Sequence, residues 1–128
     1  MSDRLIDAAR AVRQRAYAPY SRFLVGAALE AEDGAIFEGC NVENASYGLT
    51  ICAERSALAA AVSAGVRRFR RVAIVTDADP PTPPCGACRQ VLAEFGGGLE
   101  VIAVGSKQTR QWTMRDLLPD AFTPEHLA

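Results

Sequence analysis

"RVAIVTDADPPTPPCGACRQVLAEFGGGLEVIAVG", residues 71–105, reads as strand, loop, helix and strand in turn. RVAIVTD at 71–77 is a short apolar run with β-branched residues, the composition of a buried strand. ADPPTPP at 78–84 must be extended, because a residue that precedes proline is pushed out of the helical region. A helix is predicted over about 86–95, halted by Gly96, Gly97 and Gly98, and LEVIAVG at 99–105 is the next strand. Two strands joined by a helix predict parallel pairing through a right-handed crossover.

The remaining elements follow outward from this unit. Leu5, Ile6, Ala9, Val12 and Ala16 recur at helical spacing, which predicts an amphipathic helix over 3–16, broken by YAPYS at 17–21. FLVGAALEA (23–31) and GAIFEGCNV (34–42) are apolar runs joined by EDG, a hairpin signal. A second helix is predicted over about 52–64, ending near Gly65. It too lies between strands, so parallel pairing is expected there as well. RQWTMRD at 110–116 is the last predicted strand, and SKQT before it is too short for a crossover, so the last two strands should be antiparallel. The expectation is an α/β fold: a three-layer α/β/α sandwich around a mixed sheet of about five strands, in one domain over 1–128.

Composition narrows the function. Net charge is −1 at pH 7, which argues against a nucleic-acid footprint and its basic stripe. The basic run RRFRR at 67–71 falls between a helix and a strand and is expected to be a solvated loop. The N-terminal stretch carries charges throughout, and no segment is long and apolar enough for a membrane-spanning helix. A cytoplasmic location is expected, where cysteines more often bind metal or react than pair as disulfides.

Three of the four cysteines cluster by pattern. LTICAERSALAAAV at 49–62 places Cys52, Glu54 and Arg55 at the mouth of a helix otherwise built from Ala, Leu and Val. PPCGACRQVLAEF at 83–95 repeats the arrangement: Cys85 and Cys88 open a helix after proline. Cys-x-x-Cys at a helix start lets two sulfurs converge. In an open α/β sheet, helices that start at the carboxyl ends of parallel strands meet at the ligand-binding edge. Three thiolates suit Zn²⁺ and leave a fourth tetrahedral position for water, the mark of a catalytic site. A closed structural site, with Cys40 or the sole histidine, His126, as fourth ligand, and a redox pair are the alternatives. Glu54, in the first turn, points its side chain back toward the metal. Arg55 can offset the cluster's charge by hydrogen bonding to the sulfurs. Asn41 and Glu43, two apart in an extended segment, share one face.

Cys-Ala-Glu at 52–54 and Pro-Cys-Gly-Ala-Cys at 84–88 match the signature of zinc deaminases. Together with YAPYSRFLVGAAL (17–29), GCNVENASYG (39–48) and LLPDAF (117–122), they closely resemble the small homotetrameric cytidine deaminases over nearly the whole chain. The resemblance implies a cytidine deaminase-like fold and hydrolysis of cytidine and deoxycytidine to uridine and deoxyuridine plus ammonia, a reaction of pyrimidine salvage. It implies one zinc per chain on Cys52, Cys85 and Cys88, with Glu54 shuttling protons to ring N3 and the leaving amine. Asn41 and Glu43 would bond the ribose, Phe23 would pack on the base, and the main chain at Ala53 and the proline loop would meet the pyrimidine edge. Ala45, Tyr47 and Phe122 would approach the sites of neighbouring subunits in a homotetramer. Pro83 departs from the serine expected there, which removes one side-chain contact.

Other readings share parts of this pattern. A blasticidin-type aminohydrolase would carry the same zinc motif. A polynucleotide deaminase usually has a histidine ligand, a basic surface and a parallel final strand pair. A zinc-stabilised interaction domain would need neither Glu54 nor an open coordination position.

Overall fold

The computed structural model describes residues 3–127. Five strands form one sheet: β1 (Gly26–Ala31), β2 (Ile36–Cys40), β3 (Phe69–Val75), β4 (Glu100–Val104) and β5 (Thr109–Thr113), in spatial order β2-β1-β3-β4-β5. β3 and β4 are parallel, and β4 and β5 are antiparallel, as the connections predict. Helix α1 (Arg4–Arg13) covers one face, where Leu5 and Ala9 pack with Ala28, Ala73, Val75, Ile102 and Val104. Helices α2 (Ala53–Ser63) and α3 (Gly86–Ala93) cover the other, packed on Ala27, Leu29, Val72, Ile74 and Val101. Along β1, β3 and β4 neighbouring residues alternate between these two cores, the two-residue period of a sheet buried on both faces.

The pairing of β3 corrects one expectation. The connection through α2 does not bring β2 and β3 side by side: β1 lies between them, antiparallel to both. The hairpin forms first in sequence and occupies the neighbouring position, so the crossover steps over it. Gly26 therefore pairs with Cys40 on one side and Val75 on the other. The carboxyl ends of β2 and β3 thus finish level, flanking the start of β1, and the loops into α2 and α3 leave from one edge.

Helix α2 ends where Gly65 takes φ +88°, a left-handed conformation that glycine adopts without a Cβ penalty. RRFRR is not wholly a loop. β3 begins at Phe69, which is buried, and Arg71 bonds Glu30 and Asp3, so apolar burial and ion pairing extend the strand by two residues. The last strand stops at Thr113, because Thr113 and Asp116 form a capping box that starts the short helix α4 (Met114–Leu117). β1 begins at Gly26 rather than residue 23, since the amide of Val25 bonds the Asn41 side chain instead of a strand. Helix α1 stops at Arg13, short of residue 16.

Candidate active site

The two helices that open at the level edge each start on a cysteine. Cys52 is the N-cap of α2, and Cys85 is the N-cap of α3, its sulfur accepting from the Cys88 amide at 3.5 Å. Cys88 lies in the first turn of α3, fully buried. The sulfurs of Cys52, Cys85 and Cys88 all lie within 4.8 Å of one another. Tetrahedral zinc with bonds near 2.3 Å holds its sulfur ligands about 3.8 Å apart, so this trio fits the ion with small side-chain adjustments. Cys40, at the end of β2, is a free, half-buried thiol outside the trio, and His126 is exposed near the C-terminus. Among the described residues no fourth cysteine, histidine or carboxylate joins the trio.

The environment favours negative charge on the Cys52 sulfur. The Cys88 thiol hydrogen-bonds Cys52, and the Arg55 guanidinium donates to Cys52 Sγ from Nη2 at 3.5 Å. Together they outweigh burial and bring the Cys52 thiol down to about 5. Cys88 is pushed up because its proton is held by Cys52 and because the site is desolvated. Two helix N-termini add their positive ends.

Glu54 is 5% exposed, and burial raises its carboxyl above the ordinary range. It lines a cavity of about 210 Å³ with Cys52, Cys85, Asn41, Phe23 and Ala53. Gly39 makes this depth possible. A Cβ there would overlap the Ala57 amide nitrogen and stand 2.7 Å from the Ala53 carbonyl, so only glycine lets α2 lie directly on β2.

Asn41 and Glu43 both face the segment that carries Phe23. Asn41 is buried; its Oδ1 accepts from the Val25 amide at 2.9 Å and its Nδ2 donates to the Phe23 carbonyl at 2.8 Å. Glu43 accepts at Oε1 from the amides of Tyr20 (3.0 Å) and Ser21 (3.2 Å) and at Oε2 from the Ser21 hydroxyl. These bonds, with Ser21 the largest contributor, hold its carboxyl below the ordinary range. A second hollow of about 400 Å³, lined by Tyr20, Ser21, Glu43 and Tyr47, shares Thr50 with the first. The chain thus offers a narrow pocket beside the sulfurs and a wider one beside Glu43.

Three expected residues stay outside or at the rim. Ala45 is exposed and lines neither hollow. Tyr47 is 75% exposed, its ring edge-on to Tyr20. Phe122 is 58% exposed, far along the C-terminal tail, stacked on His126 and not among the residues that line its own chain's cavity. Sequence reasoning did not single out Thr82, Val25 and Ile74, which complete the narrow pocket, nor Ser21. Thr82 had a usable signal: of residues 80–84 it is the one that is not proline, and so the only backbone donor in that stretch. Pro83 lines the same pocket and offers no side-chain donor.

Comparison with known proteins agrees with this geometry. The family model for the cytidine and deoxycytidylate deaminase zinc-binding region matches residues 1–104. The cytidine deaminase of Sporosarcina psychrophila is 50% identical, over 98% of this chain and 94% of its own. That of Halalkalibacterium halodurans is 50% identical over 96% of this chain and 95% of its own. Among solved structures, the cytidine deaminase from Burkholderia pseudomallei superposes with a TM-score of 0.90 at 54% identity, covering 95% of this chain and 100% of that one. Motif, fold and overall sequence converge, and the chain belongs to the cytidine and deoxycytidylate deaminase zinc-binding family.

Proposed function

We propose that residues 1–128 form one catalytic domain that hydrolyses cytidine and deoxycytidine to the corresponding uridines and ammonia. The observation that carries this is a nucleobase-sized cavity lined by the buried Glu54 and by Cys52 and Cys85, two of three convergent cysteines. Cys52, Cys85 and Cys88 are the metal ligands in this reading, and a zinc ion bound there supplies Lewis acidity and lowers the pKa of water toward 7. Glu54 carries the protons. Its raised affinity for a proton, caused by burial, lets it accept one from the attacking water and pass it to ring N3. It then takes the remaining proton from the hydroxyl added at C4 and gives it to the amine, which leaves as ammonia while C4 becomes a carbonyl. The apolar wall of Phe23, Val25 and Ile74 excludes water and packs on the base. The Ala53 main chain and the carbonyl-rich proline loop meet the pyrimidine edge. Asn41 and Glu43 face the sugar, which favours a nucleoside over a free base because a site built for a hydroxyl rejects ligands without it.

Assembly belongs to the same proposal. Tyr17, Val42 and Ile51 form a bridged, exposed apolar patch, and Tyr47 and Leu49 extend the exposed apolar surface of this loop region. A surface of this kind marks an interface, and it supports a homotetramer in which Ala45, Tyr47 and Phe122 serve neighbouring sites. No helix among the described residues is long and apolar enough to cross a membrane, which is consistent with a cytoplasmic enzyme.

The test is direct. Purified protein, with zinc content measured alongside, is given cytidine, deoxycytidine and cytosine, and ammonia is followed. Release from both nucleosides, slow or no release from cytosine, and loss of activity on chelation are expected. Stoichiometric zinc without ammonia from either nucleoside would contradict the proposal.

A further inference from the structure

The hydroxyl of Ser21 links Glu43, which lines the wider hollow, to Phe23, which lines the narrower one. It donates to Glu43 Oε2 and accepts from the Phe23 amide at 3.0 Å. An ionised carboxylate has about four acceptor positions, two on each oxygen. At Glu43 the amides of Tyr20 and Ser21 occupy both positions on Oε1, and the Ser21 hydroxyl occupies one on Oε2. One acceptor position remains, and its direction is set by the bond from Ser21. Between Ser21 and Phe23, Arg22 holds φ 60°, a left-handed conformation disfavoured for a residue with a Cβ. The turn is thus held against a local preference by the bonds at its two ends.

We propose that Ser21 is a positioning residue for nucleoside recognition: its hydroxyl aims the last free acceptor of Glu43 at a sugar hydroxyl and, through the Phe23 amide, fixes the wall that packs on the base. Sugar reading and base packing are then coupled through one oxygen atom. The inference rests on the reading above that Glu43 faces the sugar. Ser21 touches neither metal nor reacting atoms, so its effect falls on binding rather than on chemistry.

Ser21 is exposed, so its substitutions are compatible with folding. The experiment measures kcat and KM for cytidine and for 2′,3′-dideoxycytidine, which lacks the hydroxyls Glu43 would read. Ser21→Ala should raise KM for cytidine about ten-fold, the scale of one lost hydrogen bond, with kcat within about two-fold. It should raise KM for dideoxycytidine only about two-fold, the share carried by Phe23. Ser21→Thr, which keeps the hydroxyl, should restore the cytidine value. An unchanged cytidine KM in Ser21→Ala, an equal rise for both substrates, or a fall in kcat that matches the rise in KM would overturn the proposal. Glu43→Gln separates the two ideas, because glutamine keeps one anchoring oxygen and replaces the other by a donor. A raised cytidine KM in Glu43→Gln with none in Ser21→Ala overturns the role of Ser21 alone. No change in Glu43→Gln overturns the sugar reading and this inference with it.

Discussion

Arg55 Nη2 donates to Cys52 Sγ at 3.5 Å, three residues along the helix that Cys52 caps. Its Nε is buried with no hydrogen-bond partner among the described residues, so the guanidinium bonds sulfur at one end only. Three thiolates on a divalent ion leave a formal charge of about −1, which weakens the ion as a Lewis acid. A guanidinium on the sulfurs withdraws that charge. Arg55→Ala should lower kcat by about 10–100-fold, with a smaller change in the dissociation constant of a bound nucleoside. Steady-state kinetics and equilibrium binding check this, and an unchanged kcat would remove Arg55 from the site.

Gly39 lets α2 lie directly on β2. In Gly39→Ala the new methyl overlaps the backbone of α2 at Ala57, and a helix backbone cannot swing aside as a side chain can. The helix must shift, and Cys52 and Glu54 move with it. Thermal unfolding should show a loss of about 1–3 kcal/mol, the usual cost of overpacking. Zinc retention should fall as well. Wild-type stability with full zinc content would show that α2 does not rest on β2 as described.

The fold was legible where local chemistry and tertiary structure agree. The prolines at 80–84 and the glycines at 96–98 bracket α3, and β3, α3 and β4 followed from them. The start of β1 was not legible, because the amides of Phe23 and Val25 bond the side chains of Ser21 and Asn41, and apolar periodicity carries no record of such bonds. The pairing of β3 with β1 was hidden because chain order does not say which strand a crossover passes over. At the site, the cysteines and Glu54 stood out because nothing in helix packing needs them. Ser21 did not, since a serine in a loop is ordinary and its importance lies in a partner 22 residues away.

Acid stability should report the far end of the sheet. Arg71 donates to Asp3 at 2.9 Å and to Glu30 at 3.1 Å. These bonds hold both carboxyls below their ordinary values of 3.8 and 4.5. A lowered carboxyl contributes stability above its ordinary value and loses it as pH falls through the lowered one. Arg71→Met should therefore cost on the order of 1 kcal/mol near pH 7 for this partly exposed group. The gap to the parent protein should close as pH drops below about 4. Urea unfolding at the two pH values checks it; a gap constant with pH would mean that Arg71 acts through packing alone.

Phe122 gives a test of shared sites. Gln90 Nε2 holds its carbonyl at 2.9 Å, yet the ring is exposed and does not line its own chain's cavity. If it caps a neighbour's pocket, inactive Glu54→Gln and Phe122→Ala chains should regain activity when their subunits exchange. A Phe122→Ala chain keeps its own Glu54 and receives an intact ring from its partner. Mixed oligomers with no recovered activity would exclude the shared arrangement.

In the proposed mechanism Glu54 moves the protons while three cysteines hold the metal. Glu54→Gln isolates it, because the amide keeps the shape of the side chain and cannot carry a proton. The decisive measurement is ammonia release from cytidine by Glu54→Gln protein of known zinc content. Zinc should remain at one per chain, and kcat should fall by about 10²–10⁴-fold, the range of a lost general acid–base. Full zinc with near-parental turnover would show that another group moves the protons and that this account of the site is wrong.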